Sequence, residues 1–277
     1  MNLYKETRNL LTHYRIFPKK RLGQNFAIDN ALLRSMISYA DLGKNDVVLE
    51  IGAGLGFLTR LLSPNCKKVV AVEVDLKLVS LLNVQLRHLP NVELTEGDVL
   101  SADIPPFNKV VSTPPYSISS PLLFWMLNKP FNLAVLTFQE EFAKRLTATV
   151  GSKDYSRLTV SVYYRAEVEL LDRVSKSSFY PSPDVDSIIV RLKPKPAPFK
   201  VKNEKAFFEM IQTVFTQRNK KLRNAVLSYV IKQGLSKDKA QRFADGLTFH
   251  DKRVRELAPE DFGALSNEIL EKTNLVR

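Results

Sequence analysis

Residues 47–62 read VVLEIGAGLGFLTRLL, and the fold turns on them. Val47 to Ile51 form an apolar run of strand length, Gly52, Gly54 and Gly56 let the chain turn tightly, and FLTRLL resumes at helical spacing. A strand, a glycine turn and a helix open a βα unit. The same alternation continues with VVAVEV (69–74), LKLVSLLNVQLRHL (76–89) and VELTEG (92–97). Further strand candidates are KVVS (109–112), LAVLTF (133–138), VELLD (168–172) and SIIVRL (187–192), which brings the strands to seven. Short apolar runs separated by helical segments predict an α/β domain built on a largely parallel, doubly wound sheet. A short helix is expected over residues 31–40, capped by Asp29-Asn30.

The rest of the chain divides around that sheet. Residues 1–24 carry six Lys/Arg against one Glu, a basic N-terminal segment, and residues 25–193 hold the α/β domain. The stretch KPKPAPFK, with Pro194, Pro196 and Pro198, predicts a stiff linker over 194–202. Helical periodicity over 203–216, 221–233, 236–244 and 259–271 predicts a small all-helical domain, 203–277, with stops at Gly234 and Gly246. Of the formal net charge of +12, almost all lies at the two ends, flanking a nearly neutral middle. Basic flanks around a neutral core suit an enzyme that grips a polyanion, though a solvated basic surface has the same composition. The cations singled out are Lys19, Lys20 and Arg21, and the cluster Arg218, Lys220, Lys221 and Arg223.

Composition excludes other classes. One cysteine, Cys66, makes no intrachain disulfide, and His13, His88 and His250 are too scattered for a zinc site, so no metal is expected. No apolar run approaches the ~20 residues of a membrane span, and the N-terminus lacks a signal-peptide core. A soluble, cytoplasmic protein is expected.

The glycine loop has the spacing G-x-G-x-G, which disfavours a dinucleotide dehydrogenase and leaves open a bare turn or another nucleoside cofactor. Acidic residues narrow the choice. Glu73 ends the second strand, where a carboxylate can accept both ribose hydroxyls, and Asp98 follows the third, placed to accept from an adenine amino group. Glu50 lies inside VVLEI, where a buried carboxylate calls for a cation such as the positive end of a ligand. After the fourth strand, Thr113-Pro114-Pro115-Tyr116 resembles the loop of methyltransferases that act on exocyclic amino groups of bases. There a side-chain oxygen and a carbonyl aim at one amine while the aromatic ring stacks on the base.

Five stretches then occur in order: KKRLGQNFAID (19–29), EIGAGLG (50–56), TPPYSISSP (113–121), TFQEEFAKRL (137–146) and FYPSPDVDS (179–187). Together they resemble the KsgA-type family of small-subunit ribosomal RNA adenine N6,N6-dimethyltransferases, from about Lys19 through nearly the whole chain. The resemblance implies a Rossmann-like, seven-stranded methyltransferase sheet whose last strand is antiparallel, followed by a helical RNA-binding domain. It implies S-adenosylmethionine as cofactor. Gln24 and Asn25 would close over it, with Ala27 where the family usually has Leu. Gly52 and Gly54 would approach its methionine part, Glu73 its ribose and Asp98 its adenine, with Glu50 and Thr113 also counted among the contacts. Thr113 and Pro114 would hold the target amine, and Tyr116 and Phe179 would sandwich the base.

The implied substrate is a pair of adjacent adenosines in a hairpin loop near the 3′ end of small-subunit RNA, met in a pre-ribosomal particle by a monomer. One departure stands out: most members have Asn-Leu-Pro-Tyr or Asn-Ile-Pro-Tyr where this chain has Thr113-Pro114-Pro115-Tyr116. That leaves two alternatives, an RNA-binding assembly factor with little or no methyl transfer, or an amino methyltransferase for another target such as cytosine N4.

Overall fold

The computed structural model describes residues 2–276, with side chains described through Thr273. Its strands are β1 (Phe26–Ala27), β2 (Val47–Ile51), β3 (Lys68–Glu73), β4 (Val92–Glu96), β5 (Lys109–Ser112), β6 (Leu133–Gln139), β7 (Ala166–Val174), β8 (Phe179–Tyr180) and β9 (Ser187–Pro194). The α-helices are α1 (Leu3–His13), α2 (Asn30–Tyr39), α3 (Phe57–Leu62), α4 (Leu76–Gln85), α5 (Ser119–Met126), α6 (Glu140–Leu146), α7 (Arg157–Arg165), α8 (Glu204–Val214), α9 (Leu222–Ala225), α10 (Leu227–Lys232), α11 (Lys237–Asp245) and α12 (Pro259–Val276). Chain contacts divide them into two units. The first comprises residues up to Ala143 together with Glu167–Pro194; the second comprises Lys144–Ala166 and the residues from Lys195 on.

The first unit holds a seven-stranded sheet in the order β4-β3-β2-β5-β6-β9-β7. Pairs β2–β3, β2–β5, β3–β4 and β5–β6 are parallel, and β9 runs antiparallel to β6. Central strands with no exposed surface, among them Val48, Leu49, Val69, Val70, Val110, Val111, Val135 and Leu136, explain the unbroken apolar runs in the sequence. Leu33, Met36, Leu58, Leu62, Leu81 and Leu82 from α2, α3 and α4 belong to the core cluster that includes Val48, Val69 and Val111. The order reverses at β2, with β3 and β4 on one side and β5 and β6 on the other. Open α/β sheets carry their ligand crevice at such a switch point, beyond the carboxyl ends of the strands.

Two features of this unit lay outside the sequence reading. The basic N-terminal segment is not an appendage, because α1 buries Leu3, Thr7 and Leu11, and Ile16 follows them into the core cluster. The short β1 and β8 pair antiparallel, Phe26 with Tyr180 and Ala27 with Phe179, so two motifs far apart in the chain share one ribbon.

The second unit is helical and built around Phe207, Met210, Ile211, Val214, Leu222, Val226, Val230, Phe262 and Leu265. Residues 144–166, which the sequence reading put within the α/β domain, cluster here instead. Tyr155 and Tyr164 explain the difference. The Tyr155 hydroxyl donates to the Leu257 carbonyl (2.8 Å), and the Tyr164 ring lies 5.1–5.7 Å from the rings of Phe199, Phe207 and Phe208. The helix expected over 221–233 is broken into α9 and α10 at Val226. Among the described residues no helix is long and apolar enough to cross a membrane.

Candidate functional site

The carboxyl ends of β2, β3, β4 and β5 meet the β1–β8 ribbon around one open cavity. Its lining includes Gln24, Asn25, Ala27, Glu50, Gly52, Gly54, Glu73, Asp98, Thr113, Pro114, Tyr116 and Phe179. Every residue the sequence assigned to cofactor or target base therefore borders a single space, although they come from six separate stretches of chain.

The glycine loop is held open for close approach. Gly52 and Gly54 have φ of +74° and +58°, and a Cβ would stand 3.3 Å from Pro115 Cδ at Gly52 and 3.2 Å from the Phe26 ring at Gly54. A side chain at either position is strained by backbone and neighbour alike. The backbone amides of Gly52 and Ala53 donate to the Val72 carbonyl (2.8 and 3.1 Å), fixing the loop to β3.

The two buried carboxyls differ in surroundings. Glu73 is a brace: Oε1 accepts from the amides of Val74 and Asp75, both 2.9 Å, and Oε2 from Gly54 (2.9 Å). Burial pushes its carboxyl up, against three amides that favour the charged form. Four acceptor positions less three leave room for one ribose hydroxyl rather than the expected two. Glu50, 2% exposed, accepts from the Thr59 hydroxyl (2.6 Å). Burial pushes it up to about 8, and the nearby Glu73 charge adds to the rise.

Asp98 is exposed and uses Oδ1 to cap the following turn at the Leu100 amide (3.0 Å), which leaves its second oxygen for a ligand. Gln24 lines the cavity, but its amide is spent on a clasp. Nε2 donates to Asp75 Oδ2 (2.9 Å), while Oε1 accepts from the Lys19 amide (2.7 Å). Lys19 Nζ joins the same Asp75 oxygen at 2.8 Å. Gln24 thus ties the N-terminal loop to the β3–α4 turn, and Asn25, whose Nδ2 donates to the Gly23 carbonyl (3.2 Å), keeps its carbonyl oxygen free.

At the reactive loop, Pro114 is buried and Thr113 half-buried. The Tyr116 hydroxyl is fixed to Ser187 Oγ at 2.5 Å, and burial raises its pKa. Tyr116 and Phe179 come together as the sequence suggested, but edge to face, with centroids 6.3 Å apart and planes at 75°. Stacked rings on either side of a base need parallel planes, so a sandwich requires one ring to rotate. Phe179 is 3% exposed and belongs to the core cluster, so it serves as packing residue and cavity wall together.

Three of the four cations of the C-terminal cluster are engaged within the protein instead of being free for RNA. The Arg218 guanidinium donates to the carbonyls of Lys153 (2.6 Å) and Tyr155 (3.0 Å), pinning a loop of the helical unit. Lys221 and Arg223 share Asp251 at 2.8 and 3.3 Å. Among the described residues Lys220, Lys20 and Arg21 are exposed cations without an ion pair. Asp75, Phe26, Val74, Val99 and Thr137 border the cavity or hold its rim but were not singled out in the sequence. Thr137 left a signal, a hydroxyl residue inside the apolar run LAVLTF.

A largely parallel sheet in which β9 runs antiparallel to β6, a glycine loop at its switch point and acidic residues at successive strand ends define an S-adenosylmethionine-dependent methyltransferase of Rossmann-like fold. The family model for ribosomal RNA adenine dimethylase matches residues 17–270. A Methanosarcina acetivorans protein named probable ribosomal RNA small subunit methyltransferase A is 42% identical over 266 residues, 95% of this chain and 98% of its own length. A Thermococcus kodakarensis protein of the same name is 40% identical over 272 residues, 97% of this chain and 95% of its own. Among solved structures, a dimethyladenosine transferase from Plasmodium falciparum superposes with a TM-score of 0.75 at 31% identity, covering 90% of this chain and 98% of that one. The 23S rRNA methyltransferase ErmE gives 0.64 at 27% identity, covering 88% and 99%. The chain belongs to the ribosomal RNA adenine dimethylase family.

Proposed function

We propose that the chain binds S-adenosylmethionine in this cavity and methylates N6 of adjacent adenosines in a hairpin loop near the 3′ end of small-subunit ribosomal RNA. It acts as a cytoplasmic monomer on a pre-ribosomal particle. The observation that carries the reading is the convergence of the glycine loop, Glu73, Asp98 and the Thr113–Tyr116 loop on one cavity. The residues fit the cofactor. The glycine backbone admits its methionine part where a Cβ would intrude, the remaining Glu73 lone pair takes a ribose hydroxyl, and the free Asp98 oxygen takes the adenine amine. Val74 and Val99 offer apolar contact to the purine from beside those two carboxylates.

Bound S-adenosylmethionine supplies a methyl group already activated by its sulfonium, so the protein's task is alignment. An adenine N6 lone pair is delocalised into the ring. The Thr113 hydroxyl and the Pro114 carbonyl accept the amine's hydrogens, draw them out of the ring plane and turn the lone pair toward the methyl carbon. The methylated nitrogen then loses its proton to solvent, so no side chain with a tuned pKa is needed. The target base must leave its stack, which a hairpin loop makes cheap, and Tyr116 with Phe179 provides the receiving wall. Lys20, Arg21 and Lys220 supply phosphate contacts.

The test is transfer of labelled methyl from S-adenosylmethionine to unmodified small-subunit particles, with large-subunit particles as control and Asp98→Ala as a cofactor-site variant. Label confined to the small subunit and a higher cofactor Kd in the variant are expected. Equal labelling of both subunits, or an unchanged Kd, would contradict the assignment.

A further inference from the structure

β5 and β6 pair in parallel as far as Ser112 opposite Leu136, and Thr113 and Thr137 are the residues that follow this last pair on the two segments. Thr137 has no exposed surface, borders the cavity, and its hydroxyl has no hydrogen-bond partner. Of the buried side-chain oxygens without a partner among the described residues, Thr137 Oγ1 is the one that belongs to a cavity-lining residue. Its neighbour Thr113 is half-buried and likewise makes no side-chain hydrogen bond among the described residues. Ser112, one residue earlier, is by contrast satisfied by the Ile51 carbonyl at 2.5 Å. Two unsatisfied hydroxyls thus border one cavity, each directly after the last β5–β6 pair, where the target amine is to be received. Residues that continue from one strand pair start out as neighbours, so rotation about a side-chain bond can bring two such hydroxyls together.

We infer that Thr137 is a positioning residue that sets the hydrogen-bond polarity of Thr113, an inference that rests on the methyltransferase reading of this site. A threonine hydroxyl is ambivalent: it can accept from an amine or turn its own proton toward the amine's lone pair. The second arrangement masks the nucleophile. Thr137 Oγ1 accepts the Thr113 proton from behind the cavity wall, which leaves the Thr113 lone pairs facing the amine. Thr113 then works as an acceptor, as an amide oxygen would. The atom count of the transfer is unchanged: nitrogen gains the methyl carbon, the carbon–sulfur bond breaks with its electron pair on sulfur, and one N–H proton leaves to solvent.

The test is a double-mutant cycle read by single-turnover methylation of small-subunit particles, cofactor affinity and Tm. Thr137→Val keeps shape and removes the hydroxyl; Thr137→Ser keeps the hydroxyl; Thr137→Ala is a second removal should the Val variant fold poorly. In the parent background, Thr137→Val is expected to slow transfer about tenfold with Kd for S-adenosylmethionine unchanged and Tm not lowered, and Thr137→Ser to restore the rate. In a Thr113→Asn background, where the amide oxygen can only accept, the same substitution is expected to change the rate less than about twofold. A parental rate in Thr137→Val, or an equal loss in both backgrounds, would overturn the inference and leave Thr137 a packing residue. A parent protein that binds cofactor yet transfers nothing would overturn the underlying reading and this inference with it, an outcome told apart by the parent's own rate.

Discussion

Glu50→Gln separates what the buried carboxyl costs the fold from what it gives the ligand. Burial, with the nearby Glu73 charge, pushes the Glu50 carboxyl up from an ordinary 4.5 to about 8. Its folded pKa is raised, so the neutral form is favoured in the fold. The associated stability is fully present below about pH 4.5 and is lost as pH rises toward 8, while the unfolded chain ionises and the folded one does not. At pH 7 the loss is about 3 kcal/mol as an upper figure, from 1.36 kcal/mol per pH unit. Gln keeps an oxygen for the Thr59 hydroxyl and carries no charge. The variant is therefore expected to melt close to the parent at pH 4.5 and some 5 °C or more above it at pH 8. Ligand binding should move the other way. A cationic ligand favours ionised Glu50, so S-adenosylmethionine affinity of the parent should rise with pH up to about 8, and that of the variant should rise less, Glu73 being the titratable carboxyl left in the cavity. Calorimetry and thermal melts across pH 4.5–8.5 read both slopes. A Tm difference independent of pH would refute the buried-charge argument, and a flat parent affinity would refute the assignment of Glu50 to the cationic part of the ligand.

Neutralising Lys20, Arg21 and Lys220 should flatten the salt dependence of RNA binding by roughly 0.7–0.9 units of slope per lost phosphate contact, measured by filter binding. Arg218→Ala should instead lower Tm, since it frees the carbonyls of Lys153 and Tyr155, and leave that slope nearly intact. Thr113→Asn should raise the ratio of dimethyl to monomethyl adenosine, because once N6 carries one methyl group its single hydrogen depends more on alignment. Thr113→Val should cost about tenfold or more in rate, with nucleoside mass spectrometry as the assay. Phe179→Leu, chosen to keep an apolar side chain in the core, should weaken base binding by about 1–3 kcal/mol and spare cofactor affinity; unchanged methylation with a lowered Tm would make it a packing residue only.

The sheet was legible because its strands are buried on both faces and so read as unbroken apolar runs, and the cavity residues were legible because ligand contact forces unusual types to strand ends. What stayed hidden depends on partners distant in sequence. Gln24 looked like a lid residue until Asp75 was found beside it, and Glu73 looked free until the amides of Gly54, Val74 and Asp75 claimed three of its lone pairs. Arg218 read as an RNA contact on charge alone, yet its guanidinium ties down a turn of its own unit. Residues 144–166 were assigned by continuity along the chain, whereas Tyr155 and Tyr164 commit them to the helical core. Thr137 carried a faint signal whose meaning needed its place in the cavity wall and its unpartnered hydroxyl.

The central claim, adenine N6 methylation of small-subunit RNA by this cavity, is tested most directly by mapping the product. Small-subunit particles lacking the modification are incubated with the protein and isotopically labelled S-adenosylmethionine, and the RNA is digested and sequenced by mass spectrometry. Labelled N6-methylated and N6,N6-dimethylated adenosine at two neighbouring positions of a hairpin loop near the 3′ end is the expected result. Label on cytosine N4, or none at all from a protein that binds the cofactor, would contradict it.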